Sequence, residues 1–253
     1  MSEDCVIRPV EPAPAGIGLV APFDFALDRE LWRWLPAHVD LYATRLPYLS
    51  DPVSVELASA LSDPRGVRNA TRDILAPEPS SVAYSCSSGS FVDGAAGEAA
   101  IVAAMFDAGA PAAVTTSGAM IAALTELGAR RVALVTPYVD AITDKLVDFL
   151  AEFGIAATAR FDLGLSGGIW KTSYADVRTA VSTVDTTGAD AVFIACTNVP
   201  TYDLVAPLEA QLDVPVLTAN QVTMWAAMRD AGITGVDAPG ALFADRGEDL
   251  TAA

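Results

Sequence analysis

Apolar runs of strand length alternate along this chain with stretches whose apolar positions recur every three or four residues. The first pattern predicts strands, the second helices packed on one face. Strands are expected at residues 16–20, 39–44, in the run ending at Cys86, and at 112–116. Four more follow at 131–135, 156–162, in the run ending at Cys196, and at 214–218. Helices are expected at 27–35, 54–76, 95–108, 118–127, 141–153, 174–187, 202–212 and 221–231, the second interrupted at Asp63-Pro64. A loop rich in Ser and Gly is expected after Cys86. Residues 1–15, with Pro9, Pro12 and Pro14, read as a tail, and the acidic stretch after Gly240 as a frayed end. Strand and helix in alternation imply parallel sheets with right-handed crossovers.

The pattern is duplicated. The run Ser81-Val82-Ala83-Tyr84-Ser85-Cys86 is echoed by Ala191-Val192-Phe193-Ile194-Ala195-Cys196, 110 positions on. Gly18-Leu19-Val20-Ala21-Pro22-Phe23 is echoed by Ala133-Leu134-Val135-Thr136-Pro137-Tyr138 at an offset of 115, and 111–124 by 215–228 at 104. A period near a hundred residues is far longer than the roughly 20–50 of a solenoid repeat. It fits an α/β fold of two pseudo-symmetric Rossmann-like lobes with parallel sheets and an active site in the cleft between them. The expected division is 1–117 for the first lobe and 118–220 for the second, with 221–253 returning to the first.

Composition narrows the function. The 253 residues suffice for two small cores. The net charge of −17, with 15 Lys plus Arg, argues against nucleic acid, whose phosphates need clustered cations. No apolar run approaches the ~20 residues of a bilayer span, and the N-terminus lacks a signal-peptide pattern. The chain is therefore read as cytoplasmic, with reduced thiols and no membrane partner; a homo-oligomer is left open. Its three cysteines and single histidine, without Cys-x-x-Cys spacing, speak against a structural disulfide and a metal site. Gly16-Ile17-Gly18 and Gly164…Gly167-Gly168 lack the GxGxxG arrangement, so a dinucleotide site is weakly supported.

Candidate chemistry gathers at equivalent strand ends, where open α/β folds place it. Cys86 and Cys196 each follow a buried-type run and precede residues that can hold an anion. These are Ser87 and Ser88 after the first, Thr197 and Asn198 after the second. Cysteine acts as its thiolate, whose pKa falls beside donors. Phe23 and Tyr138 occupy matching places after the first strand of each lobe, and Thr116-Ser117 closes a fourth-strand end. Tyr138 is expected to donate to a carboxylate, with Phe23 as the apolar wall opposite. A lone buried cysteine usually just packs; two at matching positions point to paired thiols. Cys5, in the tail, His38 and the helix-packing pair Trp32/Trp34 are set aside.

These residues resemble the aspartate/glutamate racemase superfamily, and within it the branch of maleate cis–trans isomerases and arylmalonate decarboxylases. The likeness runs from Gly16 to about Gly232. It is carried by 17–22, Tyr84 to Ser90, 115–117, 131–138, Cys196-Thr197, and 215–221 leading to Trp225. It implies two lobes, no metal or organic cofactor, and a small carboxylate substrate in the cleft. Arylmalonate decarboxylases keep only the second cysteine, so two cysteines favour isomerase or racemase chemistry. The maleate-to-fumarate carry-over makes Cys86 the nucleophile and Cys196 the acid/base, with Ser87, Ser88, Tyr138 and Thr197 on the carboxylates. This chain departs from maleate isomerases at Phe23-Asp24 and Leu165-Ser166-Gly167-Gly168, where asparagines stand in them. Asp24 would repel a dianion if it points inward. A racemase of an amino-acid or hydantoin-type derivative (the ectoine-breakdown type included), a decarboxylase-like enzyme and a carboxylate-binding protein stay open as alternatives.

Overall fold

A computed structural model describes residues 15–244 of the chain; Cys5 lies outside the described residues. The first half runs β1 (Ala15–Ala21), α1 (Asp28–Trp34), β2 (Val39–Arg45), α2 (Val55–Leu61), α3 (Pro64–Asp73), β3 (Ser81–Tyr84), α4 (Ser87–Phe91), α5 (Gly94–Ala108), β4 (Ala113–Thr115) and α6 (Thr116–Glu126). The second half runs β5 (Arg131–Thr136), α7 (Asp140–Glu152), β6 (Ala156–Asp162), α8 (Tyr174–Thr183), β7 (Ala191–Ile194), α9 (Val205–Leu212), β8 (Val216–Thr218) and α10 (Ala219–Asp230).

Two four-stranded sheets result, ordered β2-β1-β3-β4 and β6-β5-β7-β8, and every pairing is parallel. The same order in both halves is the structural counterpart of the sequence repeat. β3 and β7 are buried at all four positions, which is why they read as unbroken apolar runs rather than alternating ones. Edge strand β6 alternates exposed and half-buried positions over most of its length.

Local chemistry explains where elements stop. Asp63 caps α3, accepting from Arg65 N at 3.1 Å, and Pro64 takes the first helical position, where its missing N–H costs nothing. The expected helix at 174–187 ends at Thr183 because Val184 turns extended. The Ser/Gly stretch after Cys86 is a short helix, not a loop. Serine and glycine are weak helix formers, but the Ser90 hydroxyl bonds back to Cys86 O at 2.7 Å and Ser87 O at 2.9 Å, holding the turn from inside.

Helix α10 is buried on nearly every face. It packs against β3, β4 and α6 as well as its own β8. Ser81 Oγ donates to Ala227 O at 2.7 Å, and the Thr116 and Thr223 hydroxyls pair at 2.9 Å. One continuous apolar core spans both sheets; a smaller cluster lies under α2, α3 and α5. Trp34 is fully buried against Tyr202 and Phe243, whereas Trp32 is 48% exposed, so only one of that pair packs. His38 is exposed. No helix among the described residues is long and apolar enough to cross a membrane.

Candidate active site

Cys86 and Cys196 stand two residues past the ends of β3 and β7, and both line one small cavity. Cys86 is extended (φ −145°) and occupies the position just before α4. Cys196 is held at φ 80°, a left-handed conformation that a side chain adopts at a cost of about 1–3 kcal/mol and that functional sites often retain. The turn after β1 adds Pro22 and Asp24, and Tyr138 comes from the matching turn after β5. Val53, Leu57, Ala58 and Leu61 form an apolar wall with Ile169. The free volume is about 40 Å³, room for about three waters at ~10–15 Å³ each. A larger surface groove beside the end of α10 holds no cysteine.

The two cysteine segments are tied to each other. Cys196 N donates to Ser87 Oγ at 3.3 Å, and Thr197 Oγ1 donates to Ser85 O at 3.2 Å. Beneath Cys86, the Ser90 and Ser117 hydroxyls pair at 2.6 Å, and Ser117 Oγ also donates to Ser87 O at 3.2 Å. A buried carboxylate braces the other thiol: Glu30 of α1 accepts from Thr201 N and Thr201 Oγ1, each at 2.9 Å, and from Asn220 Nδ2 at 3.1 Å. The same Asn220 amide donates to Thr197 O at 3.1 Å.

Burial pushes the Cys86 thiol up to about 11, although the Gly89 backbone N–H and the Tyr84 and Ser88 hydroxyls oppose the rise. Burial likewise pushes Cys196 up to about 12, against the Asn198 N–H and the Tyr138 hydroxyl, and the charge of Cys86 adds to the shift. The expected lowering by nearby donors is therefore outweighed: the donors are present, but the apolar wall and Asp24 disfavour a thiolate. Burial also holds Tyr84 and Tyr138 protonated, well above the ordinary tyrosine value. Tyr84 Oη donates to Leu61 O at 2.7 Å. The buried Tyr138 hydroxyl lies beside Cys196 and Ser87 and makes no hydrogen bond of good geometry within the protein.

Of the sequence candidates, Cys86, Cys196, Ser88, Tyr138, Thr197 and Asn198 line the cavity. The other four do not line it. Ser87 is buried and accepts from Cys196 N. Phe23 turns away to pack edge-on against Tyr48, ring centres 5.4 Å apart, and the wall it was expected to form comes from α2 and Ile169. Thr116 and Ser117 lie one layer below, spent on Thr223, Ser90 and Ser87. Asn198 serves two roles: its Oδ1 accepts from Ala26 N at 2.9 Å and its Nδ2 donates to Asp24 O at 3.2 Å. Leu57 was missed, because an apolar helix face looks the same beside a cavity as inside a core.

Among the described residues no group of three or more His, Cys, Asp or Glu side chains could hold a metal ion. Gly16 and Gly18 leave room for the Tyr42 ring and for Ile74 Cδ1 rather than for a phosphate.

A sequence model of the arylmalonate decarboxylase family matches residues 65–243. Arylmalonate decarboxylase of Bordetella bronchiseptica is 34% identical over 148 residues, 56% of this chain and 61% of that protein, so the match covers under two thirds of that relative. Maleate isomerase of Nocardia farcinica is 28% identical over 238 residues, 89% of this chain and 93% of that one. Among solved structures, a double mutant of arylmalonate decarboxylase in liganded form superposes with a TM-score of 0.81 at 28% identity, covering 91% of this chain and 99% of that one.

Proposed function

The chain belongs to the arylmalonate decarboxylase family, and we propose that within it this protein is a cofactor-independent two-cysteine isomerase of a small carboxylate. One observation carries the reading: two thiols from equivalent strand ends line a single cavity. The reference reaction is maleate to fumarate, on the strength of the likeness to the Nocardia farcinica maleate isomerase. Cys86, beside the Gly89 backbone N–H and the Tyr84 and Ser88 hydroxyls, acts as nucleophile. The Cys86 thiol first gives its proton to solvent; the thiolate sulfur then forms a bond to one alkene carbon, the π pair moves toward the carboxylate on the second alkene carbon, and Cys196 delivers its proton to that carbon. The C–C single bond rotates. Cys196 takes the proton back, the pair re-forms the alkene, and the C–S bond breaks. Tyr138, with an uncommitted hydroxyl, steadies the enediolate-like charge together with Ser88 and Thr197.

The pseudo-symmetry of the two thiols favours a second reading, racemisation at one carbon with the cysteines as opposed base and acid. The family name brings decarboxylation of arylmalonates as a third reading, against which stands the second thiol, Cys86, in the same cavity as Cys196. Proton NMR in heavy water separates them: maleate converting to fumarate supports the first, and deuterium washed into the α-carbon of an amino-acid derivative the second. Carbon dioxide release from an arylmalonate would favour the third. No turnover, with no iodoacetamide labelling of either thiol, would leave a binding protein. The proposed lobe division stays 1–117 and 118–220 with the C-terminal helix returning to the first, and the free thiols belong in a reducing, cytoplasmic setting.

A further inference from the structure

Among the described residues Asp24 is the one carboxyl lining the cavity, and no lysine, arginine or histidine lines it. Its side chain is half-buried and accepts only from its own backbone N–H. Its charge reaches both Cys86 and Cys196. The residue is also pinned: Asn198, from the other lobe, donates to Asp24 O at 3.2 Å and accepts from Ala26 N at 2.9 Å, so the turn is clamped at both ends.

An ionised carboxylate offers only acceptors. Most of the capacity of Asp24 is uncommitted and faces a space bounded by two thiols and an apolar wall. We infer that the cleft takes a small carboxylate whose second polar group is a nitrogen that donates hydrogen bonds, held by the Asp24 carboxylate. The inference rests on the isomerase reading and narrows its substrate class. A second substrate carboxylate at this place would set like charges together with no cation between them, in a site where water screens little. An ammonium or amide N–H turns the same contact into an attraction. The first carboxylate is left to Tyr138, Ser88 and Thr197, all donors, of which Tyr138 has no partner of its own. Burial raises the Asp24 carboxyl above its ordinary range, the response of a charge left without a balancing group.

The experiment measures protection of the thiols from iodoacetamide by three saturated analogues that cannot react: succinate, succinamate and β-alanine. The expected result for the wild type is protection by succinamate or β-alanine at concentrations at least about tenfold lower than succinate requires. β-Alanine against succinamate distinguishes an ammonium from an amide. In Asp24→Asn the advantage of β-alanine should vanish and succinate should tighten. Asp24→Ala, checked by its melting curve, guards against a folding artefact. Equal or better protection by succinate in the wild type, an unchanged order in both variants, or no protection by any analogue would overturn the inference. Failure of the isomerase reading is separate, because it shows as no cis–trans conversion of maleate or its monoamide by the wild type in proton NMR, whatever the order of protection.

Discussion

The backbone N–H of Cys196 donates to the hydroxyl of Ser87 at 3.3 Å, so the residue bearing one thiol is fastened to the residue that follows the other. The link joins the two halves of the duplication just past the ends of β3 and β7. It ties together the two segments that carry the thiols, so a substrate bridging Cys86 and Cys196 would meet groups whose supporting turns are held to each other. Positioning of this kind is where much of an enzyme's rate advantage arises.

Removal of either thiol should stop the reaction without unfolding the protein. Cys86→Ala is expected to lose all measurable isomerisation, and Cys196→Ser nearly all of it, with melting curves close to wild type. Turnover by Cys86→Ala above about a tenth of wild type would mean less than ~1.4 kcal/mol of barrier depends on that thiol, too little for a covalent nucleophile.

Tyr138→Phe should separate catalysis from stability. The hydroxyl is buried without a good partner, so its removal takes away an unsatisfied polar group and should leave stability equal or slightly higher. If that hydroxyl steadies charge in the transition state, turnover should fall by about 10²–10³-fold. A melting curve and initial rates on the same sample decide the matter; an unchanged rate would return Tyr138 to packing.

Gly89 carries the shape of the Cys86 side. A Cβ there would meet Tyr84 Oη at 2.5 Å and Cys86 Sγ at 3.1 Å. Gly89→Ala should push the thiol aside and break the Tyr84–Leu61 hydrogen bond, at a cost of about 1–3 kcal/mol for a stranded buried carbonyl. Denaturant melts should show that loss, and iodoacetamide should label Cys86 at a changed rate. Wild-type values for both would contradict the packing.

Thiol reactivity should rise with pH and keep rising. With Cys86 at about 11 and Cys196 at about 12, alkylation of the free protein should climb through pH 10 without a plateau near 8.5. The same shifts bear on stability. A thiol whose pKa is higher folded than unfolded binds more protons in the folded state between the two values. Stability is then full below the unfolded value and falls as pH rises toward 11–12. A plateau of labelling near pH 8 would reveal a stabilised thiolate instead.

The strands that carry the cysteines were legible because a strand buried on both faces leaves an unbroken apolar run, and because the run occurs twice. Helix α4 was not legible: its sequence is poor in helix formers, and the bonds that hold it come from the Ser90 side chain. Phe23 was misplaced since its partner, Tyr48, follows a different strand and leaves no local trace beside it. Thr116 and Ser117 have the right side chains for a substrate, but Thr223 and Ser90 claim them from segments distant in sequence. The inward placement of Asp24 depends on Asn198, 174 positions away. Position at a strand end was readable; which partner takes up each polar atom was not.

Glu30 offers the sharpest test of how the Cys196 turn is held. Its carboxylate is 7% exposed and takes three hydrogen bonds, from Thr201 N, Thr201 Oγ1 and Asn220 Nδ2. All three partners present donors, so the site wants an acceptor on both oxygens. Glu30→Gln replaces one acceptor with an NH₂ group, which must then face either the Thr201 amide or the Thr201–Asn220 pair, donor against donor. The loss should be about 1–3 kcal/mol, or roughly 2–4 °C of melting temperature per kcal/mol at this chain length. Because Asn220 also holds Thr197 O, the disturbance reaches the left-handed backbone of Cys196. Turnover should therefore drop further than the lost stability alone would cause at a temperature where the variant is still folded. Thermal melts paired with rates at 20 °C below the variant's midpoint would show this; wild-type turnover there would mean the Cys196 turn keeps its shape without Glu30.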